Sequence, residues 1–324
     1  MRLIEATDLD SIDSYRMVER PSPVPDKGQV LVRVKACGVG YVDALVALGK
    51  YQVKPGLPHT PGMEISGIID AVGADTGTLK PGMRVLAQAA GGFAEQVIVG
   101  APLVTPIPEA LDFAQAAAFR VNYLTVLHGL QDRARLAAGE TLLVIGAAGG
   151  VGLAAVQIGK LLGATVIACA STEEKRAFAM KHGAAAGIDT QAEGWRDRLK
   201  ALTGGKGPHV IFDPVCGPLF EPAFRSIAWG GRHLVVGFAG GPIPSLPSNL
   251  TLMKGAGLLG VDVRQFMMFE WQRAGAHVEQ LLTWVSEGRF QPAVGSVFAF
   301  EDFREALLFA LSGKGLGKTV LSVG

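Results

Sequence analysis

Cysteine, charge and basic runs are all scarce in this sequence. Only three cysteines occur among 324 residues (Cys37, Cys169 and Cys216), and their odd number and wide spacing exclude a disulfide framework and a CxxC metal site. Charged residues make up 18%, and 30 basic side chains against 29 acidic ones leave a formal charge of +1. We therefore expect no nucleic-acid partner. Unpaired cysteines, and acidic residues where a secretory signal would need an apolar run, favour a cytoplasmic protein.

Long hydrophobic runs are also absent, and one stretch comes nearest to a membrane span. The 19 residues between Glu140 and Lys160 carry no charge, which approaches the length that crosses a bilayer. Five of them are glycines, which is typical of a turn between two buried elements. We therefore expect no membrane partner. Hydrophobic residues make up 49%, so the chain can bury the cores of two or three domains.

The first part of the chain is predicted to be rich in β-structure. Residues 29–37 (QVLVRVKAC) alternate apolar and polar side chains, as in a half-buried strand, and residues 64–72 (EISGIIDAV) form a second strand-like run. Short strands with closely spaced turn signals indicate a compact barrel or sandwich.

The pattern changes near residue 110 to helices that alternate with apolar strands. Residues 111–130 have few turn signals and ample Ala and Leu, which favours a helix. Such alternation indicates βαβ units and a parallel sheet. The segment 250–261 (LTLMKGAGLLGV) is predicted as a strand at the sheet edge. The other predicted strands are Thr141–Ile145, Thr165–Cys169, His209–Phe212, His233–Val236 and Lys318–Val323, and a last helix is predicted at Phe303–Leu311.

The strongest local signal is the segment 141–152 (TLLVIGAAGGVG), in which a short buried strand runs into glycines and a helix pattern follows. Ala147-x-Gly149-x-x-Gly152 is the dinucleotide-binding fingerprint with alanine at its first position. Gly149 lets the backbone approach a pyrophosphate, and Gly152 lets the helix pack closely on the strand. The N–H groups at the helix start attract the phosphates. The segment therefore predicts a dinucleotide site.

The end of the second strand indicates which dinucleotide is bound. An NAD site usually has an acidic residue about 20 residues beyond the glycines, where it binds the ribose 2′-hydroxyl. Here Ser171 occupies the strand tip, and Lys175 and Arg176 follow. A 2′-phosphate would accept a hydrogen bond from Ser171 and pair with Lys175, so the sequence favours NADPH. Two alternatives stay open: Glu173 pointing inward to serve NAD, or residues 173–176 forming only a solvated helix start.

Further motifs, taken in order along nearly the whole chain, resemble those of the zinc-free quinone oxidoreductase branch of the medium-chain dehydrogenase/reductase superfamily. The motifs are GVGYVD (38–43), GKY (49–51), PGMEISG (61–67), KPGMRV (80–85), GGFAE (91–95), AAAFRVNYLT (116–125), the glycine-rich turn, DPVCG (213–217), VGF (236–238), NLTLMK (249–254) and GKTVL (317–321). Several motifs in the same order make the resemblance far more specific than the fingerprint alone.

The resemblance implies an α/β fold with two domains. A GroES-like β-barrel catalytic domain would cover residues 1–117, a Rossmann NADP-binding domain with a doubly wound parallel sheet would cover 118–258, and residues 259–324 would return to the catalytic domain. It also implies a homodimer. Residues 250–261, at the edge of the cofactor domain, would pair with their two-fold mate.

The resemblance implies an NADPH-dependent enzyme that transfers hydride to a quinone or a similar small electrophile without a metal. A reductase of enones or enoyl thioesters in the same superfamily is the alternative. A non-enzymatic structural or RNA-binding relative is the second alternative. The substrate slot is built from side chains on several loops, so the sequence leaves the physiological acceptor open.

Two positions argue against a catalytic zinc. Zinc-dependent relatives place Cys where this chain has Gly40, and His where it has Met63, and neither residue here supplies the thiolate, imidazole or carboxylate that zinc prefers. Without a Lewis acid, alcohol oxidation is hard to support. Quinones and polarised alkenes tolerate hydride without such help, because the negative charge delocalises.

The resemblance also assigns site residues, of which three are candidate catalytic residues: Tyr51, Tyr41 and Arg120. Tyr41 follows Gly40, where the family often has asparagine, and either replaces that polar contact or packs at the surface. Arg120 either binds an anionic substrate or, as the favoured interpretation, forms an ion pair with Glu64. The cofactor-binding residues would be Tyr51, Asn122, Thr125, Ala148, Gly149, Gly150, Val151, Ser171, Lys175, Gly237, Phe238, Leu259, Gly260 and Val261.

Overall fold

The structure is a computed structural model that describes all 324 residues. The chain forms two compact units, the first from residues 1–121 and 282–324, the second from residues 122–281. Residues 259–281 thus group with the second unit, whereas the sequence assigned 259–324 to the catalytic domain. The boundary between the functional domains remains a prediction.

The first unit is built mainly from antiparallel strands. Its seven-stranded sheet has the order β14-β15-β3-β4-β5-β7 with β6 pairing β3, and β1 and β2 form a separate hairpin. The sequence predicted the strand at 64–72 with the same bounds, and the strand from Gln29 extends two residues beyond its predicted end. The strands are β1 (Arg2–Glu5), β2 (Arg16–Glu19), β3 (Gln29–Val39), β4 (Glu64–Val72), β5 (Arg84–Gln88), β6 (Gln96–Gly100), β7 (Val104–Pro106), β14 (Val294–Ala299) and β15 (Lys318–Ser322), and the helices are α1 (Tyr41–Ala47), α2 (Phe113–Ala117) and α11 (Phe303–Ser312).

The second unit is a six-stranded, wholly parallel sheet flanked by helices. Its strand order, β10-β9-β8-β11-β12-β13, reverses direction between β8 and β11. Ligands of such sheets bind outside the carboxyl ends of the strands at that reversal. The strands are β8 (Thr141–Ile145), β9 (Thr165–Cys169), β10 (Ala186–Ile188), β11 (Val210–Asp213), β12 (Arg232–Val235) and β13 (Gly257–Gly260). The helices are α4 (Gly150–Leu161), α5 (Glu173–Lys181), α6 (Trp195–Leu202), α7 (Phe220–Ser226), α8 (Asn249–Lys254) and α9 (Val263–Phe269).

Two further helices cross the boundaries between the units. They are α3 (Arg120–Leu127), which continues as a π-helical segment over His128–Arg133, and α10 (Trp271–Ser286). None of the helices combines the length and the apolar composition that a bilayer-spanning helix requires.

The segment 250–261 does not form the single strand that the sequence predicted. Its first half belongs to α8, and only Gly257–Gly260 is extended, as the edge strand β13. Leu250 is buried whereas Leu252 is 80% exposed, which an alternating strand would not produce. Gly255 adopts a left-handed φ of 53° and ends the helix, so the strand begins only after it.

Candidate cofactor site and its surroundings

The turn between β8 and α4 is the centre of the candidate cofactor site. Gly146 follows β8 with a φ of 69°, a left-handed conformation that favours glycine. Gly149 is the N-cap of α4 with extended backbone, and no side chain caps the helix. The first N–H groups of α4, at Gly150 and Val151, therefore have no capping side chain as an acceptor. Such groups, at the positive end of the helix dipole, suit a phosphate.

Two glycines of this turn differ in what an added side chain would meet. A Cβ on Gly152 would lie 2.1 Å from the carbonyl oxygen of Gly146, an overlap that only a backbone shift could relieve. A Cβ on Gly149 would lie 3.6 Å from the same oxygen, which is an ordinary contact. The packing of α4 therefore requires Gly152, whereas nothing within the protein requires Gly149. The open surface at Gly149 matches the approach of a pyrophosphate, so the residues present fit a dinucleotide.

The residues predicted to select NADPH lie just beyond β9. Ser171 is exposed, and the next residue, Thr172, caps α5 because its Oγ1 accepts the backbone N–H of Lys175 at 3.2 Å. Glu173 is exposed in the first turn of α5, where a carboxylate suits the helix dipole. This turn is therefore a capped helix start, with Ser171 directly before the cap and Lys175 in the first turn.

The other expected cofactor residues of the second unit divide into two groups. Asn122 and Thr125 are buried on α3, one turn apart, ahead of β8. The remaining ones follow the carboxyl ends of parallel strands and therefore share one edge of the sheet with the glycine-rich turn. They are Gly237 and Phe238 after β12, and Leu259, Gly260 and Val261 at the end of β13.

The first unit contains a buried cluster of charged side chains. The Glu64 carboxylate accepts the backbone N–H of Val121 at 2.9 Å through Oε1, and its Oε2 lies 3.6 Å from Lys318 Nζ. Asp43 accepts the backbone N–H of Gly40 at 2.8 Å. Burial raises the pKa of both carboxyls, although the Lys318 ammonium acts in the opposite direction. Lys318 thus compensates two buried acids.

The ion pair predicted between Arg120 and Glu64 is wrong. Arg120 is buried, but its Nη1 donates to the carbonyl of Leu103 at 3.1 Å and its Nε has no hydrogen-bond partner. Glu64 pairs with Lys318 instead. Lys318 lies on β15, which pairs with β3 beside β4, so the sheet brings together residues that are far apart in sequence.

A catalytic zinc does not fit the residues of this chain. The family position of one zinc ligand is Gly40, and a Cβ there would lie 3.1 Å from Asp43 Oδ2 and 3.3 Å from Lys318 Nζ. The backbone at this position therefore borders a carboxylate together with the ammonium that compensates it, and Gly40 itself carries no ligand atom. The second position is Met63, which is exposed and offers only a thioether.

Of the two tyrosines considered as catalytic residues, Tyr41 is the first residue of α1 and Tyr51 lies in the irregular segment after that helix. Both are half-buried. The sequence had assigned no role to Asp213, which ends β11 with no exposed surface, or to His233 on β12. The available signal in the sequence was an acid at the end of a short apolar strand.

The second unit is a parallel sheet with a glycine-rich phosphate turn, and the first unit is a mainly antiparallel, barrel-like sheet. This combination is typical of dinucleotide-dependent oxidoreductases of the medium-chain dehydrogenase/reductase type. Two family models match the chain, one within each of the two units. The alcohol dehydrogenase GroES-like domain matches residues 26–109, and the zinc-binding dehydrogenase domain matches residues 150–280.

Individual relatives cover nearly the whole chain. Quinone oxidoreductase-like protein 2 of Rattus norvegicus is 38% identical over 94% of this chain and 87% of its own length. Quinone oxidoreductase of Homo sapiens is 34% identical over 92% of this chain and 90% of its own length. The structure of Escherichia coli quinone oxidoreductase complexed with NADPH is 26% identical and superposes with a TM-score of 0.90, covering 99% of this chain and 100% of that one. The chain therefore belongs to the quinone oxidoreductase family of the medium-chain dehydrogenase/reductase superfamily, and it is an enzyme.

Proposed function

We propose that this enzyme transfers hydride from NADPH to a quinone, without a metal. The observation that carries the proposal is the open surface at Gly149, since the fold does not need a glycine there and a bound pyrophosphate does. The structure of the Escherichia coli relative, which was solved with NADPH, supports the choice of cofactor.

The preference for NADPH over NADH is supported by the turn after β9. Ser171 and Lys175 offer a hydroxyl and an ammonium to a 2′-phosphate, and no acid occupies the strand tip. Glu173 lies in the first turn of a capped helix, where it is stabilised without serving a ribose. These features favour the phosphorylated cofactor.

The metal-free reaction is supported by the environment of Gly40. NADPH supplies the hydride when it is bound. The chain would supply orientation: Asn122 and Thr125 at the nicotinamide end, and Tyr51 and Tyr41 as candidate partners of the acceptor. An acceptor that delocalises negative charge, such as a quinone, needs no Lewis acid at this position.

The alternative acceptor, an enone or enoyl thioester, gains no support from Arg120. An anion-binding role would need an accessible guanidinium, whereas Arg120 is only 9% exposed and its Nη1 donates to the backbone carbonyl of Leu103. No specific feature favours a non-enzymatic role over catalysis.

The proposed assembly is a homodimer formed through the edge strand β13. The outer side of β13 has no partner strand in the chain, and Leu258 on it is 39% exposed. The Gly260 carbonyl accepts a hydrogen bond from Arg133 Nε at 3.1 Å, but no strand pairs this edge. An edge of this kind favours addition of a second strand, and a two-fold mate supplies one. The three free, buried cysteines support a cytoplasmic location as part of the same proposal.

The proposal is tested by comparing acceptors under identical conditions. Oxidation of NADPH is followed by its loss of absorbance with quinones, enals and enoyl thioesters, and kcat/KM is determined for each. We expect the quinones to have the largest kcat/KM, and Gly149→Ala to raise KM for NADPH with every acceptor. A tenfold preference for an enoyl thioester, or no NADPH oxidation with any quinone, would contradict the proposal.

A further inference from the structure

Asp213 is a wholly buried acid at the reversal of strand order, and its carboxylate has three donors. Oδ1 accepts the backbone N–H groups of Val215 at 2.9 Å and of Cys216 at 2.7 Å. Oδ2 lies 3.2 Å from Nε2 of His233 on the neighbouring strand β12. The carboxylate therefore ties the loop after β11, residues 214–217, to its own strand and to β12.

The surroundings of His233 determine how it pairs with Asp213. Its ring has no exposed surface and packs against Phe220 and Phe224 of α7, at centroid distances of 4.9 and 6.0 Å. Nδ1 has no hydrogen-bond partner, so a proton there would be buried without an acceptor. The ionised carboxylate only accepts, so the proton belongs on Nε2, where it is donated to Asp213. The pair has one favourable arrangement, which makes it rigid.

The loop held by this pair contains a strained residue. Cys216 has a φ of 45°, a left-handed conformation that is unfavourable for any residue other than glycine, and its N–H donates to Asp213. Its thiol, whose pKa burial raises to about 12, is 1% exposed and donates to the Asp213 carbonyl at 3.5 Å. Such a conformation persists only where surrounding contacts impose it, and the carboxylate of Asp213 supplies one of them.

The loop lies between two segments of the candidate cofactor site. On one side, Cγ2 of Val215 lies 2.9 Å from the position of a Cβ on Gly146, so it packs directly on the phosphate turn. On the other side, the Val215 carbonyl accepts the N–H of Gly240 at 2.7 Å. The Pro214 carbonyl lies 3.0 Å from the position of a Cβ on Gly237. A shift of the loop would therefore move both the phosphate turn and the segment after β12.

We propose that Asp213 and His233 form a buried positioning pair that sets the loop 214–217 and, through it, holds the phosphate turn and the Gly237 segment in the geometry that binds NADPH. The inference rests on the proposed function, because it assumes that these segments contact that cofactor. Neither residue touches the cofactor or the acceptor. Their effect passes through Val215 and Pro214.

The test measures the dissociation constant of NADPH by calorimetry together with the thermal midpoint. Asp213→Asn keeps the shape of the side chain but presents an amide, which cannot accept from both the loop and His233. We expect its Kd for NADPH to rise at least tenfold, and KM for the acceptor to change less than twofold. The matched control is Asp197→Asn, the same substitution at an exposed acid on α6, which should leave the Kd unchanged.

Two more variants separate positioning from simple loss of stability. Cys216→Gly relieves the left-handed strain, so in the Asp213→Asn background it should recover most of the lost NADPH affinity. Because glycine also stabilises a left-handed position, the thermal midpoint is measured beside the Kd, and affinity that recovers only in proportion to the midpoint would indicate loss of stability rather than positioning. Val215→Ala shortens a half-buried side chain and so removes its contact with Gly146. If Asp213→Asn does not fold, this variant tests the positioning role. We expect its Kd to rise three- to tenfold.

The outcomes are distinguishable from failure of the proposed function. If the wild-type protein does not bind NADPH, the proposed function fails and this inference fails with it. If the wild type binds NADPH but Asp213→Asn or, where that variant does not fold, Val215→Ala binds it equally well, only the positioning role is overturned. A lower thermal midpoint with an unchanged Kd for NADPH would likewise overturn the positioning role.

Discussion

Alanine at Gly149 and alanine at Gly152 should have different effects, although only two residues separate these positions in one turn. At Gly149, φ and ψ are −79° and 172°, which alanine adopts without strain, and the new Cβ would make an ordinary 3.6 Å contact. The poorer N-cap and the reduced entropy of the unfolded chain oppose each other, each at about 0.5–1 kcal/mol. We therefore expect Gly149→Ala to fold with nearly unchanged stability.

Alanine at Gly149 should instead weaken binding of the cofactor. The added methyl group occupies the surface that a pyrophosphate would approach, so the phosphate oxygens lose contact with the N–H groups of α4. We expect the Kd for NADPH to rise at least about tenfold, which corresponds to ~1.4 kcal/mol.

Alanine at Gly152 should instead destabilise the fold. Its Cβ would lie 2.1 Å from the Gly146 oxygen and 2.8 Å from the Gly146 carbonyl carbon, so α4 must move away from the turn. Such overpacking costs roughly 1–3 kcal/mol. For a unit of this size the thermal midpoint should fall by about 2–4 °C per kcal/mol.

The assay combines differential scanning calorimetry without cofactor and titration calorimetry with NADPH on wild type and both variants. The expected result is a loss of affinity without loss of stability for Gly149→Ala, and a loss of stability for Gly152→Ala. NADPH binding by Gly149→Ala as tight as that of wild type would refute the assignment of this surface to the pyrophosphate. Equal destabilisation by both substitutions would refute the packing argument.

Four further outcomes are expected. Titration calorimetry should show at least about tenfold tighter binding of NADPH than of NADH, and Lys175→Ala should reduce that difference; equal affinities in wild type would contradict it. Elemental analysis should find well under one zinc per chain, and a chelator should leave turnover unchanged. Light scattering should show a dimer that Leu258→Lys converts to monomers, whereas a wild-type monomer at micromolar concentration would exclude the edge-strand dimer. Glu140→Gln should lower the free energy of unfolding by about 1–3 kcal/mol in urea at pH 7, because Arg232 donates two hydrogen bonds to the Glu140 carboxylate and lowers its pKa. The difference between wild type and variant should vanish as the pH falls below the ordinary glutamate pKa of 4.5 and then through the lowered pKa of Glu140.

The sequence alone was sufficient for the elements whose signals are local. The strands at 64–72, 141–145 and 165–169 have the predicted bounds, because each is a continuous strand-like run that ends at turn residues. The glycine-rich turn was also recognisable, since strand, glycines and helix are contiguous. At 250–254 the apolar run fits a helix or a strand equally well, and the left-handed Gly255 that ends the helix is a feature of the folded chain.

Contacts between distant residues were decided only by the tertiary structure. Glu64 pairs with Lys318 rather than with Arg120, because β15 joins the sheet beside β3 and brings an ammonium from the other end of the chain. Asp213 meets His233 because β11 and β12 pair in parallel. The sequence by itself thus determined the dinucleotide turn and the family. The tertiary structure decided which buried charges neutralise one another, because the partner of a buried charge depends on strand order and register, and neither is encoded within a local window.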